Sequence, residues 1–231
     1  MKDLILIGNG GFAREVLGYY RAMCDADNRR PRFKGYLDRR ADAPNIFFAG
    51  SYLGNEAIHL TDPNEVFVLG MADIATRKGI IATYFSVDWQ SVNIIHPSAT
   101  IDSTARLGTG NVIGPHCHIG AAARLGNHNV LNYGCSVGHD SVLGNNNVLA
   151  SNCQLAGYVS IGSDNFFGIS ASVIPRTTIG EGNKIQAGTT VTSDVPDHAF
   201  YFHRDTNKTA FIFNDGRIAG SPAGSTEEAL T

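Results

Sequence analysis

Leu125-Gly126-Asn127-His128-Asn129-Val130-Leu131-Asn132-Tyr133-Gly134-Cys135-Ser136-Val137-Gly138-His139-Asp140-Ser141-Val142 is one period of a pattern that runs from Ile95 to Val191. Within it an aliphatic residue returns every six positions, at Leu125, Leu131 and Val137. The same spacing holds at Ile95, Ile101, Leu107, Ile113 and Ile119 before it, and at Leu143, Leu149, Leu155, Ile161, Phe167, Val173, Ile179, Ile185 and Val191 after it. A helix repeats every ~3.6 residues and a strand every 2, so period six belongs to neither alone. It suits a parallel β-helix whose six-residue unit is a short strand and a bend, three units closing a triangular coil. Gly or Ala usually follows the aliphatic residue, as at Gly108, Gly126, Gly138, Ala150 and Gly162, and lets the chain turn the corner without a Cβ clash. Cys117, Cys135 and Cys153 are eighteen residues apart, which stacks them in one column as a ladder of small buried thiols. Residues 95–196 span about 5.7 such coils.

The rest of the chain is organised around this prism. The 231 residues suffice for two small domains, with 43% hydrophobic and 17% charged content. A net charge of −3 gives no reason to expect a nucleic-acid partner. No apolar run reaches the ~18 residues of a membrane span, and the N-terminal apolar segment is too short for a signal peptide. Four cysteines without framework spacing fit reduced thiols and a cytoplasmic location.

Before the prism, residues 1–92 read as a small Rossmann-like α/β domain of three or four strands. Lys2–Gly8 is a buried parallel strand, Gly8-Asn9-Gly10-Gly11-Phe12-Ala13 a glycine turn, and the residues after it a helix. That context gives G-x-G-x-x-A its meaning: amides at such a helix start can cradle a phosphate, although a tight βα turn needs the same residues for structure alone. A second strand ends at Asp38, placed either to hold a ribose or base or to cap the strand. A third, Glu65–Gly70, leads through Met71-Ala72-Asp73 into a helix over 74–85 with Arg77 and Lys78 on its surface. Substrate is therefore expected along Gly8, Gly10, Gly11, Phe12, Asp38, Met71 and Ala72. Such half of a dinucleotide fold suits a nucleotide-sugar better than NAD. Arg29-Arg30-Pro31-Arg32 reads as a solvated loop and His96 as structural. The prism domain occupies 93–196, and 197–231 is a C-terminal extension with a hairpin around Asn214-Asp215-Gly216 and a frayed tail.

The six-residue count is never interrupted, so any active site must use side chains on the coil surface. His139 and Asp140 follow a corner glycine and point outward. A His oriented by a carboxylate can act as general base near neutral pH. His116, His118 and His128 compete with it as surface, packing or metal-binding residues. Cys135, close to His139 in sequence, belongs to the inward column.

The [LIV]-G-x-x-small-x pattern resembles the left-handed β-helix acyltransferases, a prism that some carbonic anhydrases share. Together with Gly8-Asn9-Gly10-Gly11, Ile94-Ile95-His96-Pro97-Ser98-Ala99 and Gly138-His139-Asp140, it is similar to the bacterial sugar O/N-acetyltransferases, the sialic acid O-acetyltransferase and UDP-N-acetylbacillosamine N-acetyltransferase type. The resemblance covers residues 2–200. It implies an acetyl-CoA-dependent homotrimer, without metal, that acetylates a nucleotide-linked amino sugar in cell-surface polysaccharide biosynthesis. It places the family's His–acid pair on His139 and Asp140, a family asparagine on Asn132, and the pantetheine-lining stretches on Gly168, Ile169, Ala187 and Gly188. A second family histidine is replaced here by Val148, and the segment after Pro196 departs from the family's Gly-Val-Pro-Ala. Sugar O-acetylation, a non-catalytic scaffold and a metal-dependent hydratase like the prism-type carbonic anhydrases are the alternatives.

Overall fold

The computed structural model of the protein describes residues 2–26, 31–39, 51–86, 89–202, 211–212 and 218–219. It opens with strand β1 (Asp3–Ile7), helix α1 (Gly11–Ala26), β2 (Arg32–Leu37), β3 (Ser51–Tyr52), β4 (Glu65–Leu69) and helix α2 (Ile74–Ile80). The four strands form one parallel sheet in the order β3-β2-β1-β4. β1 is central, and Leu4, Ile5, Leu6 and Ile7 are all buried, as expected for a strand covered on both faces. α1 lays Val16, Leu17, Tyr20 and Met23 on one side of this sheet. Gly8, at φ +100°, makes the turn from β1 toward α1 in a conformation that L side chains rarely adopt.

From Ile94 the chain is a parallel β-helix of two-residue strands on three faces. Among the described residues, seven strands from Ile94–Ile95 to Phe200–Tyr201 form the first face. Six from Thr100–Ile101 to Thr190–Val191 form the second, and five from Arg106–Leu107 to Thr178–Ile179 the third. Each strand up to Thr190–Val191 pairs in register with those eighteen residues away, as Leu125 does with Leu107 and Leu143, and the last, Phe200–Tyr201, pairs with Lys184–Ile185 sixteen residues before it. The period-six aliphatics from Ile113 to Val191 fill the prism interior.

The corners refine the sequence expectation. The small residue after each aliphatic is needed because consecutive coils touch there: a Cβ on Gly138 would lie 2.4 Å from the Ala156 carbonyl carbon. The left-handed backbone comes two residues later and is mostly not glycine, at positions such as His116, His128, Asp140, Asn146, Asp164 and Arg176.

Two columns tie the coils together. The Cys117, Cys135 and Cys153 thiols each donate to a carbonyl of the next coil, on Asn132, Ala150 and Gly168, at 3.0–3.1 Å. Asn111, Asn129, Asn147 and Asn165 form a longer column, each Oδ1 accepting from the backbone N–H of the asparagine eighteen residues on at 2.8–2.9 Å. Nδ2 of Asn129, Asn147 and Asn165 donates to the carbonyls of Gly144, Gly162 and Gly180. A buried amide so used costs no unmet hydrogen bond.

The α/β unit sits on the first face, where Val112, Val130 and Val148 share one apolar cluster with α1. Arg77 locks the two together and corrects the surface position expected for it, because its side chain is fully buried. Its Nε donates to Asn146 Oδ1 at 2.9 Å, Nη1 to the Met71 carbonyl at 2.8 Å and Nη2 to the His128 carbonyl. Burial lowers its pKa to about 9, so it stays charged at neutral pH. Lys78 is on the surface as expected and pairs with Asp164 at 2.6 Å. The helix expected over 74–85 is α-helical only to Ile80 and continues as a π-helical segment, Ile81–Phe85.

Phe211 and Ile212 pair antiparallel with Ala219 and Ile218, as a hairpin requires. Its Asn214-Asp215-Gly216 turn, the tail from 220 and Arg29-Arg30 lie outside the described residues.

Candidate active site

Three coil edges separate the three faces, and they divide the candidate residues. On the edge between the second and third faces, His139 Nδ1 lies 2.9 Å from Asp140 Oδ2, and both side chains are largely exposed. The pair is possible because Asp140 takes the left-handed corner conformation, φ 56°, which turns two neighbouring residues to the same side. With Nδ1 engaged by the carboxylate, the carboxylate favours the tautomer that leaves Nε2 free to accept a proton. The Tyr158 ring meets the imidazole edge-on at 5.1 Å, and the Arg176 guanidinium lies 4.4 Å over the Tyr158 ring. Gly157 is the floor beneath the imidazole: a Cβ there would stand 2.6 Å from His139 Nε2. Gly157, Tyr158 and Arg176 were missed in the sequence, although each is one or two coils beyond His139 or Asp140 by the eighteen-residue count.

Asn132 lies on the preceding edge, between the first and second faces, and does not meet His139. Its Oδ1 accepts from the Tyr19 hydroxyl of α1 at 2.8 Å, and burial, with Glu15 nearby, pushes the Tyr19 pKa up to about 12. Gly168, Ile169, Ala187 and Gly188 are on this same edge, two and three coils further along, with Ile169 exposed.

The edge between the third and first faces carries His128, for which the sequence left surface, packing and metal-binding roles open. His128 is buried, not on the surface, packed at 4.7 Å against Phe85. Desolvation, with the neighbouring Arg77 charge, lowers its pKa to about 4. His116 and His118 stay on the surface but separate, His116 against Tyr133 and His118 with Thr100. No cluster of three His, Cys, Asp or Glu placed to hold a metal occurs among the described residues. Hydrogen bonding between stacked thiols and burial push the Cys117 thiol well above its ordinary pKa, and Cys135 is fully buried. Both argue against a thiolate nucleophile.

A separate crevice of about 590 Å³ opens at the carboxyl ends of β1, β2 and β4. Gly8, Gly10, Gly11, Phe12, Asp38, Met71 and Ala72 all line it, together with Arg39 and Glu56. Asp38 Oδ2 accepts from the Asn9 amide at 3.0 Å, so it pins the glycine turn as well as facing the crevice. Ala72 and Asp73 are shared with a second cavity of about 620 Å³, which runs between α2 and the prism past Lys78, Phe166 and Lys184. The α/β unit that holds the crevice packs on the first face, and His139 is on the edge opposite that face.

Residues 158–193 match the family model described as the hexapeptide repeat of succinyl-transferase. No curated protein matches the chain by sequence. Among solved structures, PerB from Caulobacter crescentus, crystallised with CoA and GDP-perosamine, is 28% identical with a TM-score of 0.75, covering 95% of this chain and 98% of that one. The acetyltransferase domain of PglB from Neisseria gonorrhoeae has a TM-score of 0.77 at 20% identity, over 87% of this chain and 96% of that one. WeeI from Acinetobacter baumannii has a TM-score of 0.74 at 18% identity, over 95% and 100%. The last two show a shared fold alone. The chain thus has the two-part architecture of hexapeptide-repeat sugar acetyltransferases.

Proposed function

We propose that this protein is an acetyl-CoA-dependent N-acetyltransferase acting on the amino group of a nucleotide-linked amino sugar. The observation that carries the reading is the His139–Asp140 pair at 2.9 Å, whose side chains are exposed, whereas those of the other histidine–carboxylate pair among the described residues, His59–Glu65, are largely buried. The likeness to PerB, solved with CoA and a GDP-linked amino sugar, supports the choice of substrates.

The mechanism is direct transfer. The sugar amine attacks the thioester carbonyl while His139 Nε2 accepts a proton from the nitrogen. A C–N bond forms, the C–S bond breaks, and the CoA thiolate leaves to be reprotonated. Asp140 stabilises the imidazolium formed on the way. The thioester is already activated, so most of the acceleration comes from holding the two substrates in line. Pantetheine runs along the edge that carries Gly168, Ile169, Ala187 and Gly188, and the nucleotide occupies the glycine-turn crevice. Because that crevice and His139 are on opposite sides of one prism, the sugar bound by one subunit reaches the His139 of a neighbour, which suits a homotrimer.

The test is CoA release, followed with a thiol reagent, from acetyl-CoA and a panel of UDP-, GDP- and dTDP-linked amino sugars. Release with one of them, reduced by more than about 100-fold in His139→Ala, is the expected result. Release only with hydroxyl acceptors would replace the reading by O-acetylation. Absence of both turnover and CoA binding would leave a non-catalytic scaffold.

A further inference from the structure

Among the described residues two buried side-chain atoms have no hydrogen-bond partner, Asn183 Nδ2 and Glu56 Oε2. Asn183 explains itself. It is the last of the asparagine column, and Gly144, Gly162 and Gly180, which serve the earlier members, have no counterpart beyond it. Glu56 has no such explanation. It lines the nucleotide crevice, its side chain is only 3% exposed, and a buried carboxylate oxygen without a donor is costly. Its other oxygen accepts from Arg39 Nε, whose side chain is 65% exposed. The Asn55-capped turn Glu56–Ile58 fixes the residue just beyond β3.

The sheet order states where in the crevice this is. Going outward from β1, the carboxyl ends present the glycine turn, then Asp38 after β2, then Glu56 after β3. A nucleotide with its phosphates at the glycine turn runs along this line, ribose toward Asp38 and base toward Glu56. Resting on the nucleotide-sugar reading above, we infer that Glu56 reads the base, and that the base is guanine.

The chemistry of the bases decides this. A carboxylate offers two acceptors and no donor. Guanine's N1–H and N2–H₂ edge is a guanidine fragment with two adjacent donors, the same pattern that Arg39 brings to this carboxylate. The exposed Arg39 side chain gives way to the base, whose second donor reaches Oε2. Adenine and cytosine set an acceptor beside their amino group. Uracil and thymine flank a single imide N–H with two carbonyl oxygens, which the carboxylate repels.

The experiment is calorimetric titration of the full chain with GDP, inosine diphosphate, UDP, dTDP and ADP, for the wild type and for Glu56→Gln. GDP is expected to bind about 100-fold more tightly than UDP or dTDP, and about tenfold more tightly than inosine diphosphate, which lacks the 2-amino group. Glu56→Gln should weaken GDP by about 10- to 100-fold and leave UDP nearly unchanged. UDP or dTDP binding as tightly as GDP in the wild type overturns the inference without needing the variant, and so does an unchanged GDP-to-UDP ratio in Glu56→Gln. Either result leaves the nucleotide-sugar reading intact. If none of the five nucleotides binds, that reading falls and the inference with it.

Discussion

His128 and His139 lie on different edges of the same prism, His128 in the left-handed corner position that Asp140, not its neighbour His139, takes on the other edge. His128 lies under the α/β unit, walled by Phe85 and beside the buried Arg77, and is held neutral by its low pKa of about 4. His139 has open solvent on one side and a carboxylate on the other. The repeat makes equivalent corners. What covers a corner then decides whether its histidine is packed away or left open to solvent.

The largest effect expected from this contrast is on turnover. His139→Ala should lower the acetyl-transfer rate by about 10²- to 10⁴-fold while the melting temperature is maintained, whereas His128→Ala should lower stability and spare the rate of the molecules that remain folded. Paired rate and melting measurements on both variants check it, and equal rate losses would erase the distinction. Next is the clamp beneath His128. Arg77→Ala strands Asn146 Oδ1 and the Met71 and His128 carbonyls in a buried place, so unfolding free energy from urea titration should fall by roughly 3 kcal/mol.

An effect of comparable size is pH-dependent. His128 has a folded pKa of about 4 against an ordinary histidine value of 6.5, so the unfolded chain binds the proton more readily. The stability that its neutral form contributes is complete above about pH 6.5 and is lost progressively as pH falls toward 4, by an amount on the order of 3 kcal/mol. Denaturant titrations between pH 7 and 4 should show that slope in the wild type, and a shallower one in His128→Asn. The smallest effect is at the exposed corner. Gly157→Ala places a methyl against His139 Nε2 and swings the imidazole away, which should reduce turnover by about tenfold with little change in melting temperature. A wild-type rate in this variant would mean that the imidazole is not held by its floor.

The prism was legible because one physical demand repeats: each six-residue step returns a side chain to the interior, and Ile113 through Val191 obey it. The glycine turn and its crevice were legible too, since the seven residues expected there all line it. The asparagine column escaped notice although it has the same spacing as the cysteines, because a polar residue in a repeat is easily taken for surface. Arg77 was misplaced for a related reason. Local sequence makes a cation on a short helix look solvated, and only the tertiary arrangement surrounds it with carbonyl oxygens. The surroundings of His139 were half visible: Asp140 is adjacent in sequence, whereas Gly157 and Tyr158 come from the next coil and have no local signature.

The asparagine column also makes the prism a ruler. Every rung from Asn111 to Asn183 is the same bond at the same spacing, so each coil meets its neighbours through an identical joint. Beyond the coils that Arg77 and α1 grip, a whole eighteen-residue segment can then be copied or cut out with the same joint on either side of the splice. Gene duplication could lengthen such a molecule in quanta of one coil, sliding whatever lies beyond the insertion along the axis while the crevice and its clamp stay where they are.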